Sequence, residues 1–457
     1  MLRFIAFAAA FAATSAFAQT AAENQRFHDI YKELVETNTT NSVGDNTLAA
    51  RRMAKHLQDA GFAASDFEIL EPQPRKGNLV LRMKGDGSKR PLLLLAHLDV
   101  VEAKREDWKT DPFELREDGG YFTARGSIDD KSMAAAFVSI LAQLKREGYK
   151  PKRDLILALT ADEEGGPSNG VAWLVRNRRE LVDAEFGLNE GGGGELGGNG
   201  RHVLNRMQVA EKMATNFTLT VTNPGGHSSV PVPENAITTL AEALVRIGAH
   251  RFPVNVGEVT RAYFGRSAQF VSGQVAADMR AIGEGKADAA VYDRLSNNPF
   301  INAQLRTTCV VTMQGGGHAQ NALPQSATAN VNCRILPHDD PATIASEIRR
   351  LAGPKVEVTQ RVQPRLSPPS PLRADLMAAV EGVTQEMWPG VPVIPSMSTG
   401  ATDSLYLRNV GIHVYGVSGM FVEPGDYRAH GLDERITQKA LYEGREFLYR
   451  LVKRLAD

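Results

Sequence analysis

Cysteine is nearly absent: Cys309 and Cys333 are the only two in 457 residues, too few for a disulfide-dense scaffold. An excess of one charge is missing as well. With 52 Lys and Arg against 53 Asp and Glu the formal net charge is −1, which argues against nucleic acid or an anionic membrane as the main partner. Beyond the N-terminal residues no stretch is long and apolar enough to cross a bilayer. There is no internal repeat, and the only low-complexity tract is the glycine run 191–194. What is present is length. At 457 residues the chain exceeds one average core, so two domains are expected.

The chain opens Met1-Leu2-Arg3, continues with an apolar run from Phe4 to Ala13, and reaches Ser15-Ala16-Phe17-Ala18 before Gln19. A basic start, a short apolar core and a small-x-small site predict a secretory signal peptide over 1–18. The run is too short to span a membrane easily. The mature chain is therefore expected to be soluble and secreted, without a membrane span, and periplasmic if the source has two membranes. In such a compartment a disulfide persists. Cys309 and Cys333 lie in strand-like runs on either side of Gly315 to His318 and are expected to bond across that reversal, two buried thiols being the alternative.

Along the chain the pattern is helical from Gln25 to Gly61, extended at Asn78 to Met83 and Leu92 to Asp99, and helical from Met133 to Arg146. A buried strand follows at Asp154 to Thr160, a helix near Gly170 to Arg179, and a strand at Phe186 to Glu190. The alternation predicts an α/β fold with a mixed, mainly parallel sheet and helices on both faces. Near Glu211 the pattern changes to strand-helix-strand-strand-helix-strand, a ferredoxin-like α+β unit, with 251–306 as a largely helical excursion. Pro364 to Pro371 reads as a linker. The expected organisation is a catalytic domain in two parts, 19–210 and 364–457, around an inserted domain over 211–363.

The apolar run Leu92 to Leu95 ends in His97 and Asp99, which share one face of a strand. Ligands of such sheets gather beyond the carboxyl ends of the strands, where His97, Glu163, Glu164 and Glu190 all fall. Taken together, His97, Asp129, Glu164, Glu190 and His430 offer two imidazoles and three carboxylates, a set suited to two zinc ions sharing one carboxylate. Asp99 would hold the His97 ring from behind. Glu163 is left over to move a proton, and this arrangement hydrolyses amides. Taken singly each piece has a plainer reading: a polar strand end, a helix cap at Asp129-Asp130, a solvated turn at Glu163-Glu164.

These residues resemble the co-catalytic zinc metallopeptidases that include glutamate carboxypeptidase, succinyl-diaminopimelate desuccinylase, aminoacylase and carnosinase. Ala96-His97-Leu98-Asp99-Val100, Arg125-Gly126-Ser127-Ile128-Asp129-Asp130-Lys131, Asp162-Glu163-Glu164-Gly165, Asn189-Glu190-Gly191 and Ala429-His430-Gly431-Leu432-Asp433-Glu434 are similar to the five motifs of that family. The resemblance implies a zinc exopeptidase-like fold with two zinc ions per chain. One would take His97, Asp129 and Glu190 and the other Asp129, Glu164 and His430, with Asp99 orienting His97 and Glu163 as general base. It also implies that the inserted block is a lid or dimerisation domain of a homodimer. There Gly226-His227-Ser228 is similar to the segment whose histidine stabilises the oxyanion, often from the partner subunit. Asn321 and Arg334 are similar to the residues that hold the substrate's free carboxylate, a task that suits a guanidinium fork. Ser132, where the family commonly has glycine, and the excursion over 251–306 depart from the pattern.

The expected activity is release of a C-terminal amino acid from a dipeptide or short peptide. Hydrolysis of N-acyl amino acids by the same chemistry is the alternative. A catalytically dead ligand-binding protein on the same fold is the reading of a different class, and the presence of Glu163 with every ligand candidate speaks against it.

Overall fold

The computed structural model describes residues 21–457, so the signal segment expected over 1–18 lies outside the described residues. The chain forms two compact units. The first holds the described residues up to Met207 with Pro371–Val393 and Tyr406–Asp457, and the second holds Gln208–Ser370 with Ile394–Leu405. No helix among the described residues is long and apolar enough to cross a membrane.

In the first unit the strands lie in the order Phe67–Leu70, Asn78–Met83, Arg153–Thr160, Lys89–His97, Phe186–Asn189 and His413–Gly416. The pairings among the last four are parallel, while the two strands at the start are antiparallel. A strand covered on both faces needs a continuous apolar run, and Leu92 to Leu95 supply it. Leu93 and Leu95 pack with Ile156, Val171 and Leu174, which leaves Leu92 and Leu94 for the opposite face. The helix Lys131–Arg146 packs against the same strand. Mixed α/β architecture with a mainly parallel sheet is thus what the alternation predicted.

One local reading is corrected. The stretch from Gln25 to Gly61 is two helices, over 21–35 and Asn46–Asp59, the second capped by Asp45, whose carboxylate accepts the Leu48 N–H. The glycine run leads into a strand, Gly193–Leu196, which pairs with His202–Glu211. Glycine is required there by close packing, since a Cβ on Gly194 would fall 2.1 Å from the Phe421 ring and one on Gly192 2.5 Å from the carbonyl oxygens of Arg206 and Gly416.

The second unit is an antiparallel sheet in the order Thr308–Gly316, Ser326–Ile335, Met213–Thr222, Glu357–Thr359. Alternate residues of Met213–Thr222 are buried against the helices Ala236–Ala249 and Pro341–Ala352. The excursion over 251–306 is helical, with Glu258–Ser267, Gly273–Gly283, Ala289–Leu295 and Pro299–Leu305 closing on Phe264, Met279 and Leu305. Cys309 stands directly opposite Cys333 and the two are bonded. The first strand runs on through Gly316, so the reversal starts at Gly317. Ile394–Leu405 falls with this unit, not with the segment 364–457 in which the sequence placed it. Buried Glu211 is one reason. It accepts hydrogen bonds from Ser367 Oγ (2.8 Å) and from Thr402 Oγ1 and N (2.9 and 3.2 Å). Gln304 Nε2 also donates to the Met397 carbonyl.

Candidate metal centre

His97 is the last residue of its strand and stands in register with Thr160. The following residues of the two strands therefore meet beyond the sheet's carboxyl edge, where Leu98 N donates to Thr160 O at 2.7 Å. Here the structure revises how Asp99 works. The His97 Nδ1–H donates to the main-chain carbonyl of Asp99 at 2.9 Å, while the Asp99 carboxylate is 3.7 Å away. That carboxylate instead accepts the backbone N–H groups of Glu163 (3.0 Å) and Glu164 (2.9 Å). One residue thus fixes the His97 ring by its main chain and the Glu163-Glu164 turn by its side chain. Burial pushes the Asp99 carboxyl up to about 6.

With Nδ1 donating, His97 turns Nε2 toward Asp129 Oδ1 at 3.2 Å and Glu190 Oε1 at 3.9 Å. On the other side His430 Nε2 meets Asp129 Oδ2 at 3.3 Å and Glu164 Oε1 at 2.8 Å. Asp129 therefore lies between two imidazoles with one oxygen to each. Asp130 does not: it precedes the helix Lys131–Arg146 without capping its N–H groups, and its buried Oδ2 has no partner. The ligand atoms of His97, Asp129 and Glu164 lie within 4.8 Å of one another, as do those of His97, Glu163 and Glu190. All six residues expected at the centre, with Asp99 behind them, are brought together.

The electrostatics suit a cation. Burial pushes the carboxyls of Glu190 and Asp130 well above the usual range, and neighbouring carboxylates add to it. Asp129 is held below its usual range despite burial, by His430 and His97. The same carboxylates, Asp129 and Glu164, raise His430 to about 10. Crowded carboxylates and imidazoles that otherwise have to share protons are the nitrogen and oxygen donors that zinc accepts. The residues present therefore fit a pair of divalent ions.

Four supports lie outside the expected set. Glu434 is buried beside the loop that carries Asp129, and the Tyr31 hydroxyl donates to Ser127 O at 2.8 Å. Ser132, the departure from the family's glycine, donates from Oγ to Ile128 O at 2.9 Å. Asp162, at φ 60, forms a buried ion pair with Lys76 immediately before Glu163. The only signal in the sequence was the place of Glu434 and Asp162 inside motifs, because their partners are remote in the chain.

In the second unit His227 and Asn321 are neighbours: Gly226–His227 pairs with Ala322–Leu323, and Ser228 N donates to Asn321 O at 3.0 Å. The His227 Nδ1 accepts the Ser229 N–H at 3.2 Å, so the neutral ring carries its proton on Nε2. Arg334 stands elsewhere. It is eight residues along the strand from Ser326, about 26 Å of extended chain, so one copy of the unit does not bring Arg334 to Asn321.

The description "Peptidase family M20/M25/M40" matches residues 93–454. A probable carboxypeptidase S-like 2 of Dictyostelium discoideum is 29% identical over 391 residues, 82% of this chain and 74% of its own. An N-fatty-acyl-amino acid synthase/hydrolase PM20D1 of Xenopus tropicalis is 28% identical over 422 residues, 89% of this chain and 81% of its own. In fold, the chain is similar to an M20 family metallo-carboxypeptidase from Sulfolobus solfataricus, with a TM-score of 0.70 at 17% identity over 94% of this chain and 98% of that one.

Proposed function

Because the chain belongs to peptidase family M20/M25/M40 and is thereby a metal-dependent amide hydrolase, we propose that it is a secreted dinuclear-zinc exopeptidase. It would release a C-terminal amino acid from dipeptides or short peptides. The observation that carries the reading is Asp129, with one oxygen facing each imidazole. His97, Asp129 and Glu190 would hold one ion, and Asp129, Glu164 and His430 the other. When bound, the pair supplies an activated water and a polarised carbonyl. Glu163 takes the water's proton and delivers it to the leaving nitrogen. Its backbone is held for that task by Asp99. His227 donates from Nε2 to the oxyanion, a hydrogen bond that gains strength as the charge develops. Arg334 and Asn321 hold the free carboxylate of the substrate.

The separation of Arg334 from Asn321 within one copy supports a homodimer in which the two come from different chains. The edge strand Thr308–Gly316 is open to such pairing, with Val310 and Met313 exposed on it. The second reading, an N-acyl-amino-acid hydrolase, is favoured by the similarity to PM20D1 and uses the same residues.

The deciding experiment measures free amino acid released from a panel of dipeptides and N-acyl amino acids, with the metals loaded and after chelation. Metal-dependent release from dipeptides supports the exopeptidase, and release from N-acyl substrates alone transfers the assignment to the second reading. No release from either class by protein carrying two ions rejects both.

A further inference from the structure

The carboxylate of Glu434 is surrounded by donors. Oε2 accepts from Arg125 Nη1 at 2.7 Å and from Gly126 N at 3.0 Å, and Oε1 accepts from Ile128 N at 2.9 Å and Asp129 N at 3.1 Å. Both charged side chains are buried, at 3% and 1% exposure. The main chain joins the same contact, with Ala124 N donating to Glu434 O at 3.1 Å and Arg125 Nη2 to Gly431 O at 3.0 Å. Residues 124–129 and 431–434 are thus fastened together by one carboxylate and one guanidinium.

The two segments carry Asp129 and His430. His430 and Asp433 both adopt the left-handed backbone region, at φ 63 and 51, a conformation that persists only where surrounding contacts determine it. The contacts of Arg125 and Glu434 fall beside both residues, at Gly431 next to His430 and at Glu434 next to Asp433. Three loop donors, the N–H groups of Gly126, Ile128 and Asp129, pointed at one carboxylate also set the direction from which Asp129 leaves the backbone.

We propose that Glu434 is a positioning residue shared by both metal sites: it aims Asp129 and, through Gly431 and its own backbone, fixes His430, so that the two ions are taken up as a coupled pair. This rests on the dinuclear reading above. Outer partners of this kind typically contribute about 10–100-fold in metal affinity. A residue serving one site only would change one binding step; Glu434 changes both.

The test is titration of metal-free protein with zinc chloride against a competing chelator, in wild type, Glu434→Gln and Glu434→Asp, with the melting temperature of each metal-free protein measured in parallel. Glu434→Asp keeps the charge opposite Arg125 and withdraws the carboxylate by one methylene, so it stays informative if Glu434→Gln does not fold. The expected result is a loss of about 10–100-fold in both zinc-binding steps, with the metal-free melting temperature of at least one variant close to wild type. Unchanged affinities, loss at one step only, or variants that lose their metal-free fold would each overturn the proposal, the last by making Glu434 a residue of the fold alone. The underlying reading fails differently: wild type itself would then take up fewer than two ions.

Discussion

Lys76 Nζ lies 2.6 Å from Asp162 Oδ1, with the two side chains 9% and 0% exposed. The second Asp162 oxygen accepts the Ser168 N–H at 3.1 Å, and Lys76 also donates to Asn41 Oδ1 at 2.7 Å. The pair braces the turn that presents Glu163 and Glu164. Removing one partner leaves the other charge buried and alone, a loss of about 3–5 kcal/mol. Asp162→Asn keeps a residue that tolerates the left-handed backbone and should show that loss in urea unfolding, as should Lys76→Met. Changes below about 1 kcal/mol, the scale of an exposed pair, would show that the pair is not a brace.

Glu163→Gln should retain both metal ions and lose about 10²–10⁴-fold in turnover, the range of general acid–base catalysis. Metal analysis and steady-state kinetics on the same preparation check it. Activity within a few-fold of wild type would remove the proton-carrying role.

His227→Ala should lower kcat by about 10²–10³-fold, the effect of losing one oxyanion donor, while metal content stays the same. Its contact is strongest in the transition state, so the loss should fall on kcat more than on KM. Near-normal kcat in the variant rejects the assignment.

The bonded pair Cys309 and Cys333 closes a separation of 24 residues. Titration of unreduced, denatured protein should find no free thiol, and Cys333→Ser should cost about 2–4 kcal/mol against the oxidised wild type. Two titratable thiols in protein isolated without reductant contradict the bond.

Lys212 is buried with its ammonium donating to the carbonyls of Ala303 and Arg306, at 3.0 and 2.9 Å. Burial lowers its pKa to about 8. The unfolded chain, with a lysine near 10.4, then binds more protons than the folded one between those values, so stability rises with pH across that window. Wild type should therefore gain stability relative to Lys212→Met as pH increases from about 8 toward 10, other groups cancelling in the comparison. A gap that stays constant or narrows over that range contradicts the depressed value.

Much of the molecule was legible in the sequence because the signals are local. The uninterrupted run Leu92 to Leu95 can serve only a strand covered on both faces, and its end at His97 marks the carboxyl edge where the centre forms. The alternating burial of Met213–Thr222 likewise follows from a half-exposed strand. The signals failed where distant segments decide. Gly191 to Gly194 carries no apolar pattern, and its strand exists because Phe421 and the backbone at Gly416 press against it. Ile394–Leu405 follows Glu211, nearly two hundred residues away.

The same division holds at the centre. Residue types and their places at strand ends determined by themselves which side chains could hold two cations, since imidazole and carboxylate donors are fixed by covalent structure. The motif resemblance already pointed to Asp129 over Asp130; the tertiary structure supplied the physical reason, because neighbours along a chain differ in direction and the loop that carries Asp129 is held by the four donors that Glu434 collects from it and from Arg125. Only the tertiary structure decided that Asp99 orients His97 through a carbonyl and spends its carboxylate on the turn of Glu163 and Glu164. Hydrogen-bond partners depend on distance in space, which composition and spacing do not encode.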